Sequence, residues 1–328
     1  MTTLWDTTGT AVVKALAAER RTGGAVTSGI ALTLVVVVDE KGTEEAEEAA
    51  RIAASRHPMR MLIVIRRQID ASVPRLDAEV TIGGRLGPGE SVVLRMYGRL
   101  ALHAESVTLP LLAPDAPVVT WWHCEPPVRI AYDPLGVFAE RRITDVGRCQ
   151  DAVAALTQRA QDFAPGDTDL AWTRITPWRA ALASAFDGAR SAATSAAVHG
   201  GPADPSALLL SGWLSSRLGL SVNVEGHDDE PISGIDIGFA NGRTCKLVVE
   251  GSNLVLRREG QQDSYMPYSE RALGDLLAEE LKRLDHDKVY ADSLAAVTGV
   301  AGLEDRSPVR QHVWWDPALQ AETAAEPA

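Results

Sequence analysis

Residues 30–65, IALTLVVVVDEKGTEEAEEAARIAASRHPMRMLIVI, decide the fold class. Ile30 to Val38 is apolar and β-branched on both faces, the pattern of a strand buried between two layers. Thr43 is placed to cap a helix whose first turns carry Glu44, Glu45, Glu47 and Glu48, where the positive end of the helix dipole favours carboxylates. Ala46, Ala49, Ala50 and Ala53 recur at helical spacing, and so small a face predicts close packing on a sheet. His57-Pro58 ends the helix, because the residue before a proline is steered out of the α region. Met59 to Ile65 follows as a second apolar strand, which makes the stretch a βαβ unit.

Working outward, Trp5 to Arg20 is an amphipathic segment in front of this unit. Ala78 to Ile82 and Ser91 to Met96 alternate as strands, separated by the turn-rich GGRLGPGE. A helix around Leu100 to Leu111 and a strand at Val118 to Trp122 extend the same layer. Cys124 to Arg148 is irregular and precedes a helix from about Asp151 to Phe163. APGDTD, Ala164 to Asp169, marks a domain boundary. Beyond it WTRITPW, Trp172 to Trp178, leads into a helix begun by Pro177, a residue suited to the first turn. Gly188 to Pro205 reads as a surface loop or linker.

Ala207 to Arg217 is then helical. Ile235 to Phe239, a type I′ hairpin at Asn241-Gly242, Thr244 to Glu250 and Asn253 to Arg258 form a meander. Leu273, Leu276, Leu277, Leu281 and Leu284 mark a long amphipathic helix capped at Ser269. The sequence thus predicts an α/β N-terminal domain over 1–166, with a βαβ-containing mixed sheet and helices. A smaller α+β C-terminal domain with an antiparallel meander follows over 167–303, and the tail 304–328 reads as partly disordered.

The chain of 328 residues is 45% apolar and 23% charged, a globular balance that argues against disorder or a fibrous repeat. Its net charge of −12 is unevenly shared: residues 1–166 carry −2 and residues 167–328 carry −10. Such acidity opposes phosphate neutralisation, so no nucleic-acid partner is expected. No apolar run approaches the ~20 residues of a membrane span, and MTTLWDTTGT lacks the pattern of a secretory signal. A cytoplasmic protein with no membrane partner is expected. Cys124, Cys149 and Cys245 are odd in number and widely spaced, which does not indicate a disulfide framework.

The usual chemical motifs are missing. DEKGTEE, after the first strand, has one glycine among carboxylates and would repel a dinucleotide's pyrophosphate. GxxxxGK[ST], GxSxG and HExxH do not occur. His123-Cys124 is an adjacent pair of soft ligands, but neighbours on a strand point to opposite faces. Asp228, Asp229 and Glu230 lack calcium-loop spacing and read as a solvated turn. No catalytic residue, cofactor or metal ligand is therefore assigned. Arg56, His57 and Arg60 remain as an alternative anion site of a sugar-phosphate sensor or enzyme, although His57 sits at a helix end, where a capping role is the plainer reading.

Arginine and tryptophan stand out, with 27 Arg against 5 Lys and 8 Trp among 17 aromatic residues. Both types are enriched at binding hot spots, while drift in composition is the plainer explanation of the totals. They concentrate at Trp172, Arg174, Trp178 and Arg179, with Trp121 and Trp122 behind them. Either a clamp between domains or a partner interface fits these residues.

LTLVVVVDE, ASRHPMRMLIVIRR, LPLLAPDAPVVTWWHCEPP and above all DLAWTRITPWRAALASAFD occur in an order that resembles the glucose-6-phosphate dehydrogenase assembly protein (OpcA) family, up to about Leu303. The resemblance implies a non-catalytic partner of glucose-6-phosphate dehydrogenase, needed for assembly or full activity of that enzyme in the oxidative pentose phosphate pathway. It also implies a link, in some photosynthetic bacteria, to thiol redox control, which no two-cysteine motif assigns to Cys124, Cys149 or Cys245.

Overall fold

The computed structural model describes residues 1–22, 29–83, 89–186, 191–228 and 230–309. Most of the GGRLGPGE connection, Asp229 and most of the predicted tail lie outside the described residues. The described residues divide into two compact units, one of Met1–Arg142 and one of Ile143–Pro308. This division precedes the APGDTD stretch.

The first unit contains β1 (Thr2–Leu4), α1 (Gly9–Thr22), β2 (Leu32–Val38), α2 (Thr43–Ala54), β3 (Met59–Arg67), β4 (Arg75–Ile82) and β5 (Glu90–Tyr97). Two short helices, α3 (Arg99–Leu102) and α4 (Ala104–Thr108), and β6 (Val118–Trp122) complete it. The strand order is β1-β4-β5-β3-β2-β6, with β5, β3, β2 and β6 parallel and β4 antiparallel to both its neighbours. The βαβ unit is present as the sequence predicts.

Val35 to Val38 are all buried, because β2 lies between parallel neighbours with helices on both faces. Each such side chain contributes about 1.5–3 kcal/mol of burial free energy. Leu76, Ala78 and Val80 of β4 join the same apolar cluster as Val12 and Leu16 of α1, whereas Arg75 and Glu79 alternate onto the other face. Alternation here reflects a strand with one wet side. The helix around Leu100 to Leu111 is broken into α3, α4 and a 3-10 turn at Leu109–Leu111. Thr43 does not cap α2: the N-cap is Gly42, and the Thr43 hydroxyl donates to the Asp39 carbonyl instead.

The second unit opens with the paired short strands β7 (Arg141–Thr144), which spans the division, and β8 (Asp167–Asp169), with α5 (Ala152–Asp162) between them. Then come α6 (Leu170–Arg174), α7 (Thr176–Phe186), β9 (Ala193–His199), α8 (Pro205–Leu218) and β10 (Asn223–Glu225). β11 (Gly234–Phe239), β12 (Thr244–Glu250), β13 (Asn253–Arg258), β14 (Ser264–Pro267), α9 (Leu273–Glu280) and α10 (Lys288–Thr298) follow. Its main sheet has the order β10-β9-β11-β12-β13-β14, so the meander exists, extended at both ends.

Three sequence expectations are corrected in this unit. The stretch read as a linker, Gly188 to Pro205, contains β9, which pairs with β11 on one side and β10 on the other. Ladder hydrogen bonds from both neighbours override the weak strand propensity of ATSAAVH. At Asn241-Gly242 the hairpin forms, but only Gly242 has positive φ (80°), which is a type I turn closing on a left-handed glycine. The long amphipathic helix is the eight-residue α9, with Ala272 and not Ser269 at its N-cap.

α8 and α10 pack closely because position 212 is glycine. A Cβ there would lie 2.4 Å from the Ser293 carbonyl oxygen and 2.4 Å from Val297 Cγ2, and a backbone atom has little room to yield. Gly212→Ala is expected to lower unfolding free energy by about 1–3 kcal/mol, the usual range for overpacking. Urea unfolding measures this, and an unchanged midpoint would show that the helices separate without cost.

Candidate functional site

Open α/β sheets take ligands at the carboxyl ends of their strands, where the connections turn in opposite directions. In the first unit that point lies between β2 and β6, since the chain leaves β2 through α2 toward β3 and returns through α3 and α4 to β6. The position is occupied by protein. A Cβ on Gly42 would stand only 2.7 Å from His123 Nδ1, and His123 Nε2 lies 3.2 Å from Glu45 Oε2 in the first turn of α2. Asp39 Oδ1 accepts from the Gly42 amide at 2.7 Å. An imidazole packed on the turn, with carboxylates at the helix start, fills the place where a pyrophosphate would need open backbone amides.

The alternative anion site does not assemble. Arg60 is buried, its Nε donating to Glu90 Oε2 at 2.7 Å and its Nη1 to the Leu111 carbonyl at 2.5 Å. Its charge is thus already compensated and turned inward. Among the described residues, no group of three or more His, Cys, Asp or Glu side chains is arranged to hold a metal ion.

Side chains of the Trp172–Arg179 segment make several hydrogen bonds within the second unit. Asp169 caps α6, its side chain accepting from the Ala171 amide at 2.8 Å. Trp172 Nε1 donates to Asp287 Oδ2 at 2.8 Å, and the Thr173 hydroxyl donates to Glu280 Oε1 at 2.6 Å. Arg174 donates both Nη groups to Asp145 at 2.7 Å. Trp178 Nε1 donates to the Tyr268 hydroxyl at 3.2 Å. The Arg179 guanidinium lies over the Trp172 ring, 3.6 Å from its centroid, a cation–π contact. Burial pulls the pKa of Arg179 down to about 10, against the opposing charges of Asp287 and Glu280.

These contacts decide what the predicted interface residues can do. Trp121, Trp122, Trp172 and Trp178 are all at most 1% exposed, so none of the four rings faces solvent. Trp122 joins the apolar cluster that includes Val35 and Leu62, and Trp121 meets His123 edge-on with centroids 5.3 Å apart. Trp172 and Trp178 belong to the core cluster of the second unit. Arg174 retains 35% side-chain exposure. Among the described residues the surface-exposed tryptophan is Trp5, at 66%, which the sequence reading left within an amphipathic segment.

A model of the glucose-6-phosphate dehydrogenase subunit N-terminal domain matches residues 50–161, and one of its C-terminal domain matches residues 165–294. The chain belongs to the OpcA family. No curated protein sequence matches this OpcA-family chain. Among solved structures, a dehydrogenase (MviM) from Clostridium difficile is similar, with 7% identity and a TM-score of 0.41 over 84% of this chain and 98% of that one.

In this OpcA-family chain the cysteines are free thiols. Burial pushes Cys124 up, with Asp39 adding to it, and burial likewise raises Cys245, so the thiolate is disfavoured at both. Sequence reasoning passed over the buried acids Asp145, Asp169 and Glu280 and the half-buried Asp204 and Asp287. A signal for three of them was present: Asp169, Asp204 and Asp287 each stand immediately before a helix, in the N-cap position. No helix among the described residues is long and apolar enough to cross a membrane.

Proposed function

We propose that this chain is a non-catalytic assembly factor and allosteric activator that binds glucose-6-phosphate dehydrogenase and promotes its active conformation or oligomer. The match of both domain models of the family carries the reading. The filled crevice at His123 and Gly42 supports it, because it removes the place where a sheet of this kind would hold a dinucleotide of its own. Cytoplasmic location, entry of no cofactor and service to the oxidative pentose phosphate pathway belong to the same proposal.

An activator works only by binding the active state more tightly, and a coupling of about 1–3 kcal/mol changes the balance roughly 5–150-fold. The region to test first is the segment holding Trp172, Arg174, Trp178 and Arg179, with Trp121 and Trp122 behind it. The buried rings would act by fixing the shape of the surface, and the half-buried Arg174, at 35% side-chain exposure, is a group there able to meet a partner directly.

Titration of purified dehydrogenase with this protein tests the proposal. A rise in kcat/KM or a shift to a larger oligomer, saturating with added protein, is expected. Co-migration with no kinetic or oligomeric change would leave a passive scaffold and overturn activation. Turnover of sugar phosphate by the isolated chain would overturn the non-catalytic reading.

A further inference from the structure

The polar interior of the second unit is organised around Asp169, which is fully buried. Its Oδ2 accepts from the Thr144 hydroxyl at 2.6 Å and from the Val146 amide at 3.0 Å, while its Oδ1 accepts from the Ala171 amide at 2.8 Å. Asp145 and Asp204 stand near the same place. A Cβ on Gly147 would lie 3.5 Å from Asp145 Oδ1, 3.7 Å from Pro205 Cγ, next to Asp204, and 3.9 Å from Arg174 Nη1. The Arg174 guanidinium is committed to Asp145, whose two oxygens it engages at 2.7 Å. Tyr290 of α10 also faces Asp169, and Asp167, Arg159 and Glu280 act on that same tyrosine. Asp169 therefore has a carboxylate neighbour, and the guanidinium that its charge acts on, that of Arg174, is hydrogen-bonded to Asp145.

Thr144 can hydrogen-bond either protonation state of Asp169. When Asp169 is ionised, the Thr144 hydroxyl donates to Oδ2. When Asp169 is protonated, Oδ2–H donates to Thr144 Oγ1, and the hydroxyl hydrogen of Thr144 turns to the Thr168 carbonyl, 3.3 Å away. Each state keeps the bonds from Val146 and Ala171.

We propose that Asp169, Thr144 and Thr168 form a proton switch at the start of α6: the protonated state holds the segment carrying Trp172 and Arg174 tightly, and loss of the proton loosens it. Two buried carboxylates beside one shared guanidinium cannot both be ionised without cost. Burial, and then the Asp145 charge, push the Asp169 carboxyl up to about 6, against the pull of its three hydrogen bonds. The folded chain then keeps a proton that the unfolded chain releases at lower pH. Stability accordingly falls as pH rises from the ordinary aspartate range through about 6.

The switch lies within the second unit and is read on the full chain alone, whatever its partner. Urea unfolding of wild type and Asp169→Asn at pH 5 and pH 8 is the first measurement. The wild-type folding constant is expected to fall about tenfold more than that of the variant between these two pH values. A pH-independent loss in Asp169→Asn is irrelevant, since only the slope is compared. Carbon-13 titration of the Asp169 carboxyl in the wild type needs no variant, and it should show protonation near neutral pH, moved lower by Asp145→Asn. Parallel stability profiles, or a carboxyl that stays ionised down to the ordinary aspartate range, would overturn the switch.

Discussion

Trp172→Ala is expected to lower the unfolding free energy of the second unit by about 3–5 kcal/mol, the range for emptying a large buried aromatic site. The ring is 1% exposed and packs against Tyr290 with centroids 5.8 Å apart, so its removal leaves a cavity that rigid helices close only in part. Two polar groups lose their partner as well. Asp287 loses the Nε1 donor at 2.8 Å, and Arg179, whose Nε already lacks a hydrogen-bond partner, loses the π face beneath it. Trp172→Phe separates these contributions, since it keeps most of the apolar surface and removes the donor, and it should cost about 1–3 kcal/mol. Denaturant unfolding followed by circular dichroism measures both. If alanine at this position left the midpoint unchanged, the segment would not be the structural centre described above. A loss of dehydrogenase activation by Trp172→Ala must be read beside this loss of stability, whereas a change in activation from Arg174→Ala at unchanged stability would point to contact.

Glu90→Ala should be comparably severe in the first unit, with a cost of about 3–5 kcal/mol, typical of breaking a buried ion pair from one side. Glu90 has no exposed side-chain surface. Arg20 engages it through Nε at 2.7 Å and Nη2 at 2.8 Å, and Arg60 through Nε at 2.7 Å. Burial pushes the Glu90 carboxyl up, while the hydrogen bond and charge of Arg20 pull it down, so the net shift is upward and the ionised state is costly to keep. The severity arises from what remains: Arg60, 2% exposed, would keep its charge with only the Leu111 carbonyl to receive it. The double change Glu90→Gln with Arg60→Met removes both charges and should recover most of the loss, as replacement of buried pairs commonly does. Unfolding curves of the single and double variants form the test. A Glu90→Ala cost below about 1 kcal/mol would place this cluster among weak surface pairs.

The acidity of the second half of the chain takes a different sense from these contacts. Read as composition, a charge of −10 over residues 167–328 describes a repulsive surface. In the structure Asp167, Asp169 and Glu280 are buried and accept hydrogen bonds from the Ala164 amide, the Ala171 amide and the Thr173 hydroxyl. Part of that charge is architecture and does not face a partner.

Strands β2, β3, β5 and β6 were legible because a residue run that is apolar on both faces, or alternates strictly, depends on local order along the chain. Helix α2 was legible for the same reason, through its alanine row and acidic first turn. β9 was not, because Ala193 to His199 has no pattern that a strand requires, and it becomes one through hydrogen bonds with partners tens of residues away. Ser269 looked like a cap by type, yet the backbone turns into α9 only at Leu273, where Ala272 takes that place. The cap positions of Asp169, Asp204 and Asp287 could have been found from type and spacing, while the burial of Asp169 could not.

By itself, then, the sequence determined the βαβ frame, the meander and the family, since periodicity, turn residues and long ordered motifs are properties of the chain taken in line. The tertiary structure alone decided which tryptophans are available to a partner. Trp121, Trp122, Trp172 and Trp178 are enclosed and Trp5 is not. A large aromatic side chain has the same composition in either place, and only the surfaces brought against it by distant segments determine whether water is excluded from its ring.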